Sequence, residues 1–158
     1  MAAYTKKFKN DRQFGGTPYG NTSKLLFSMT TNASGVVQNS DAAAALDSGD
    51  TVVLGVLPAG MTLLGCLSIV SDAFTASSTC KLGFKYVDGV DSTAVPQDDD
   101  YFHAALALHA AGRTAANNTA VKPETLPKDA YLYITHSAHT QAEVGRVDFV
   151  VDVIETGV

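Results

Sequence analysis

The residue types in this chain able to do chemistry are four histidines, a run of aspartates and two cysteines. His136 and His139 are three positions apart, and His103 and His109 are six apart. Two imidazoles on one strand can hold a metal when a further donor, usually a carboxylate, joins them from another strand. An odd spacing sends His136 and His139 to opposite faces of a continuing strand, so Ser137-Ala138 reads as a turn between them. The histidines are therefore read as surface or hydrogen-bonded core residues. Asp98-Asp99-Asp100, with Asp88 and Asp91 upstream, offers oxygen enough for calcium, but the glycine and terminal glutamate of an EF-hand loop are missing at the required offsets. The run reads as a solvated acidic loop or one that meets basic residues of a partner. With Tyr101 beside them as an exposed aromatic, Asp98, Asp99, Asp100 and Tyr101 are the candidate contact for a partner or a glycan. Neither a metal nor any other cofactor is expected.

Nucleophilic chemistry finds little support. Neither Cys66 nor Cys80 has a histidine beside it in sequence, and no G-x-S-x-G elbow exists. Cys80 shares a face with Leu82 and Phe84, which makes it a core thiol. Cys66 falls on the opposite parity from Leu63 and Leu67, and hairpin counting leaves the two cysteines out of register, so no bridge is expected. Gly15-Gly16 lacks the strand before and the helix after that a phosphate loop needs. Catalytic residues are therefore expected to be none.

The elements that position these groups are strands. Leu25, Phe27 and Met29 alternate with Leu26, Ser28 and Thr30, the mark of a half-buried strand from Lys24. A short strand follows at 35–39, and the alanine run within 41–46 suits one helical turn. Further strands are predicted at 51–57, at 61–71 with Leu63, Leu67 and Ile69 on one face, and at 79–87. There Cys80, Leu82, Phe84 and Tyr86 alternate with Lys81, Gly83 and Lys85. The stretch 72–78 reads as a hairpin loop, 91–100 as a polar loop and 112–128 as a long loop. Residues 101–110 are read as strand in preference to helix. After a strand at 130–136, the last strand is the clearest: Val147, Phe149, Val151 and Val153 face one way and Arg146, Asp148 and Asp152 the other. Seven or eight strands, with turns about every ten residues, predict an all-β antiparallel two-sheet sandwich of jelly-roll type.

Residues 1–23 stand apart as an extended N-terminal arm on a 24–158 sandwich domain. The arm carries Lys6, Lys7, Lys9 and Arg12 against Asp11, a balance of +3, while 24–158 carry seven positive and fifteen negative side chains, a balance of −8. A basic tail on an acidic body suggests that the two face different neighbours. Tyr4, Phe8, Phe14 and Tyr19 are spaced like anchors, so Tyr4, Lys6, Lys7, Phe8, Lys9, Arg12, Phe14 and Tyr19 are the candidate partner-binding set. The acidic body lacks the Lys and Arg clusters that phosphate contacts need, so nucleic acid is not an expected partner. No apolar signal core or membrane-length apolar run is present, so membranes are not expected either. Charged residues are only 17% of the chain, and so weakly charged a surface is expected to be covered in a homo-oligomer or a docked state.

The phrases Lys85-Tyr86-Val87-Asp88-Gly89-Val90-Asp91-Ser92-Thr93-Ala94, Pro96-Gln97-Asp98-Asp99-Asp100-Tyr101-Phe102, Ala111-Gly112-Arg113-Thr114, Leu126-Pro127-Lys128-Asp129-Ala130-Tyr131-Leu132 and Leu57-Pro58-Ala59-Gly60-Met61 resemble those of small structural proteins of tailed bacteriophages. Within that class the chain is similar to the jelly-roll capsid decoration, or cement, proteins. The resemblance implies a non-enzymatic virion protein on the capsid exterior, made in the host cytoplasm. It implies the major capsid protein as partner and a homotrimer as the assembled state. A tail, neck or fibre component, a carbohydrate-binding module for host attachment and a cupin-type metalloenzyme using the histidines are the alternatives.

Overall fold

The computed structural model describes residues 3–5, 22–118 and 122–155. The strands are β1 (Ala3–Thr5), β2 (Thr22–Thr31), β3 (Thr51–Leu57), β4 (Met61–Asp72), β5 (Thr79–Tyr86), β6 (Asp98–Ala107), β7 (Gly112–Ala115), β8 (Glu124–Thr125), β9 (Ala130–Ser137) and β10 (Gly145–Glu155). No helix forms among the described residues. One sheet runs β1-β3-β9-β5-β6, and the other β2-β10-β4-β7 with β8 also on β4. Setting β1 and β8 aside, the chain supplies four strands to each sheet and crosses between sheets at most connections. That is the jelly-roll arrangement the strand rhythm predicts. All pairings are antiparallel except β1, which adds parallel to the outer edge of β3.

Alternation accounts for the core. In β10, Val147, Phe149, Val151 and Val153 are completely buried, and the strand is paired on both sides, to β2 and to β4. From the other sheet Leu82, Phe84, Leu132 and Ile134 meet them in one cluster. Tertiary packing overrides local preference in several places. The alanines of 41–46 do not make a helical turn; Leu46 is buried there, its N–H bonds Gly35 O and its carbonyl accepts from Gln141 N. The strand at 35–39 reduces to a single bridge from Thr31 to Val37. The 112–128 loop contains β7 and β8, and 98–100 belong to β6 rather than to a loop. The 72–78 segment is not a hairpin loop but a crossing from the second sheet to the first.

The face assignment in β4 also changes. Met61 and Leu63 point inward, but Leu64 is an extra residue opposite the Asp152–Val153 step of β10. A bulge of this kind reverses parity along the strand. Beyond it Cys66, Ser68 and Val70 are buried, while Leu67 and Ile69 lie on the outer, half-buried face. Counting in twos through Leu63, Leu67 and Ile69 misses the reversal.

Candidate functional site

The acidic segment is placed by a wide irregularity between β5 and β6. Leu82 pairs with His103 but Phe84 pairs with Asp98, so β6 gathers extra residues over a two-residue step of β5. Those residues arch over Gly83. A Cβ at that position would stand 2.0 Å from the Asp98 carbonyl oxygen, a separation only glycine avoids. Leu82 and Phe84 face the core, so Gly83 and the arch lie on the outer face of the first sheet, with Lys81 alongside. Lys81 Nζ pairs with Asp99 Oδ2 at 2.9 Å. The Asp100 N–H donates to Asp98 Oδ1 at 3.0 Å, and the Asn118 amide donates to Asp100 O at 2.7 Å and to its Oδ1 at 3.1 Å. The three carboxylates have oxygens within 4.8 Å of one another. Burial is the first cause raising the Asp98 carboxyl, offset by the Asp100 N–H. Burial, then the neighbouring aspartates, pushes the Tyr133 phenol up to about 12. Lys85 Nζ sits 4.9 Å from the centre of the Tyr133 ring. The result is a hydrogen-bonded acidic corner beside a tyrosine and two lysines.

Tyr101 is not part of the exposed corner. It is only 5% exposed, its ring meets Phe84 and Phe102 edge-on at 5.4 and 4.8 Å, and its hydroxyl donates to the Lys122 carbonyl. The expectation of an exposed aromatic beside Asp98, Asp99 and Asp100 is therefore corrected: Tyr101 follows the arch back into the core.

The histidines separate into two kinds. His103 and His136 are fully buried. His103 Nδ1–H donates to Asn117 Oδ1 at 3.1 Å, which leaves Nε2 to accept from the Ser68 hydroxyl at 2.9 Å. Ser68–His103–Asn117 has the connectivity of a nucleophile, a base and its orienting group. Ser68 is 1% exposed, however, and its hydroxyl also lies 3.9 Å from the buried Cys66 thiol. Joining β4 to β6, the trio ties one sheet to the other through the core. Sequence reading missed it because the β4 bulge sets the parity of Ser68. His136 Nε2–H donates to the His139 carbonyl at 2.7 Å across a turn in which Ala138 has φ of 86°, the turn predicted at Ser137-Ala138. Its Nδ1 is buried without a hydrogen-bond partner. Burial holds both imidazoles below the usual histidine range. His103 and His136 are not brought together with one another or with the acidic corner as a metal-binding set; the three aspartates are the only such group among the described residues.

Cys80 and Cys66 are both buried free thiols. They sit on different sheets rather than on neighbouring strands. Burial pushes Cys66 up to about 12 and raises Cys80 further. A shallow depression of about 280 Å³ lies on the β4 side, lined by Leu64, Gly65, Cys66, Leu67, Ala115, Ala116 and Asp152. Tyr4, in β1, pairs with Val52 of β3 and packs half-buried against the chain's own core. Lys6, Lys7, Phe8, Lys9, Arg12, Phe14 and Tyr19 lie outside the described residues.

No family model matches the sequence. No curated protein matches it either. Solved structures do match in fold. A chain in the capsid of Ralstonia phage GP4 superposes with a TM-score of 0.67 at 16% identity, over 99% of this chain and 100% of that one. A chain in the cyanophage Pam1 capsid asymmetric unit gives 0.52 at 17% identity over 89% of each chain. A chain in the acidic stable capsid structure of Helicobacter pylori bacteriophage KHP30 gives 0.50 at 16% identity, over 85% of this chain and 94% of that one. The phage resemblance carried by the loop and strand phrases thus meets an independent likeness in three dimensions: this chain has a jelly-roll fold shared with chains found in phage capsids.

Proposed function

We propose that the protein is a non-enzymatic virion protein that binds and reinforces a phage capsid shell from outside, as a cement protein. The observation that supports this best is the near-complete overlap with a phage-capsid chain, 99% of this chain and 100% of that one. The core supports the reading as well. Ser68 and His103 are sealed between the sheets, where their hydrogen bond joins the two layers, and Asn117 holds His103 from the exposed side. Copies gather as trimers on the shell, the major capsid protein being the partner. The basic stretch with Lys6, Lys7, Lys9 and Arg12, carrying Phe8, Phe14 and Tyr19, lies along a neighbouring capsid subunit. The corner of Asp98, Asp99 and Asp100 meets basic residues of the shell.

The test is recombination of purified protein with particles lacking it, followed by electron microscopy and a heat-release assay. Density at repeated lattice positions on the outer shell, with genome release moved to higher temperature, is the expected result. Density confined to the neck, tail or fibres, or no binding, overturns the proposal. Charge reversal of Lys6, Lys7, Lys9 and Arg12 is expected to weaken binding and flatten its salt dependence.

A further inference from the structure

Three loops meet at the end of the sandwich where β9 runs out. The His136 N–H bonds Asp50 O and its carbonyl accepts from Gly49 N, both at 2.8 Å, so the 46–50 loop is tied to the end of β9. Gln141 ties in the others. Its N–H bonds Leu46 O at 2.8 Å, its Oε1 accepts the Thr75 N–H at 3.0 Å, and its Nε2 donates to the Ser78 hydroxyl at 2.6 Å. Ser78, His136 and Gln141 are at most 1% exposed. A buried polar cluster of this kind is rigid when each member is satisfied, and this one is not. His136 Nδ1 has no hydrogen-bond partner. Its Nε2–H goes to the His139 carbonyl, yet Gln141 Nε2 lies 3.2 Å away, so two N–H donors face each other. Turning the Gln141 amide end for end only sets its NH2 against the Thr75 N–H. Backbone strain gathers on the same loops: Ser77 at φ 65° and Ala138 at φ 86° hold left-handed conformations that residues with a Cβ seldom adopt.

We propose that His136 is an acid-operated latch: when its buried ring gains a proton it leaves its seat, the Ala138 turn relaxes, and the loops 46–50 and 137–142 come away while both sheets stay formed. A proton added to the seated ring must go to Nδ1, where nothing accepts the new N–H. Burial is the first cause that holds this imidazole below its ordinary range, with the His139 carbonyl, Asp50 and Asp47 pulling the other way. Those two carboxylates belong to the loop that His136 holds, so a freed imidazolium meets water and negative charge together. The other titratable groups around the junction offer it nothing: Cys80, its partner on β5, is a buried neutral thiol, His139 presents its backbone oxygen, and His109 Nδ1 is bonded to the Ser78 carbonyl. His103 differs. Both its nitrogens are partnered, one of them by Ser68 of the opposite sheet, so its protonation strains the core and not a loop. The two buried imidazoles thus divide the acid response, one local and one global. The latch stands independently of shell binding.

The test is hydrogen exchange on the full-length protein at about pH 7.5 and about pH 5.0, corrected for the intrinsic pH dependence of exchange. The reporters are the amides of Gly49, Thr75, His136 and Gln141, which bond within the junction. Those of Val147, Phe149, Val151 and Val153 in β10 report the sheets. Opening frees a group that protonates near the ordinary value of about 6.5, so the opening constant rises by about thirtyfold between the two pH values, and protection at the four junction amides falls by that factor. Local opening exposes little surface, so the acid rates at the junction should ignore urea below about 1 M, whereas β10 rates should climb with it. His136→Gln should abolish the acid response of the junction amides, and His103→Gln should leave it in place. Junction rates that climb with urea in step with β10 overturn the latch, since whole-chain unfolding alone would then be at work. So does an acid response that is absent, that His103→Gln removes, or that His136→Gln retains. The urea comparison uses the unaltered protein and decides the matter even if His136→Gln does not fold. Loss of shell binding in the recombination assay leaves these outcomes untouched, so the two proposals fail separately.

Discussion

Mild acid should loosen this fold, and the reason is the pair of buried neutral histidines. In the unfolded chain His103 and His136 take protons near the ordinary histidine value of about 6.5. In the folded chain burial holds both lower. Below about pH 6.5 the unfolded state therefore binds more protons, and stability falls as pH falls until the folded values are reached. Above that value both states are neutral and the full stability is present. The geometry agrees: protonating His103 at Nε2 sets a second N–H against the Ser68 hydroxyl that donates to it, and protonating His136 at Nδ1 creates a buried N–H with nothing to bond. Each group contributes at most about 1.4 kcal/mol per pH unit, so the two together approach about 2.7 kcal/mol per unit. With a urea slope of about 2–3 kcal/mol/M, the midpoint drops by roughly 1 M per pH unit. The lowered aspartates Asp47, Asp88 and Asp91 stay charged across this window and lose their contribution only below about pH 4. Raised Asp98 acts with the opposite sign, gaining stability as pH falls toward the unfolded carboxyl value. Urea melts from pH 7.5 to 5.5 check this, with the double variant His103→Gln, His136→Gln as control. A wild-type midpoint that holds or rises on acidification, or a double variant that keeps the wild-type slope, refutes the reasoning.

Phe149→Ala should cost about 3–5 kcal/mol, since the ring is fully buried in the central strand; thermal melts and urea midpoints measure it. Gly83→Ala should unseat the acidic arch, because its Cβ would meet backbone and not a flexible side-chain tip; hydrogen exchange should rise at 98–103 while β10 stays protected. Cys66 and Cys80 should resist a thiol reagent at pH 8 in the folded protein and react promptly in denaturant, since buried thiols raised this far form almost no thiolate. Asp99→Asn should change stability by less than about 1 kcal/mol, the exposed Lys81 pair being well solvated, whereas its effect on particle binding should be larger if the acidic corner meets the shell.

What was readable in the sequence, and what was not, follows from the range of the forces involved. The inward row of β10 and that of β5 show in the alternation, because each strand's burial is set by its own period of two. Cys80 as a core thiol follows from the same rule. The β4 reversal at Leu64 does not show, because a single extra residue is decided by the partner strand. With it went the inward placement of Ser68, and hence the trio with His103 and Asn117, whose members lie on separate segments. Tyr101 was misjudged as exposed because three aspartates precede it; the arch over Gly83 returns the chain to the interior within one residue. Gly83 itself carried a signal, a glycine between two core-facing residues of an otherwise regular strand, which marks close backbone approach.

The distorted arch of β6 has a consequence for assembly. A sandwich with regular strands at both margins of a sheet can add copies at each and grow without limit, as fibres do. Here the first sheet ends in the arch on one side and in three residues on the other, and the second ends in four residues opposite β2. At these three margins the described residues therefore offer a further copy no long regular strand to extend.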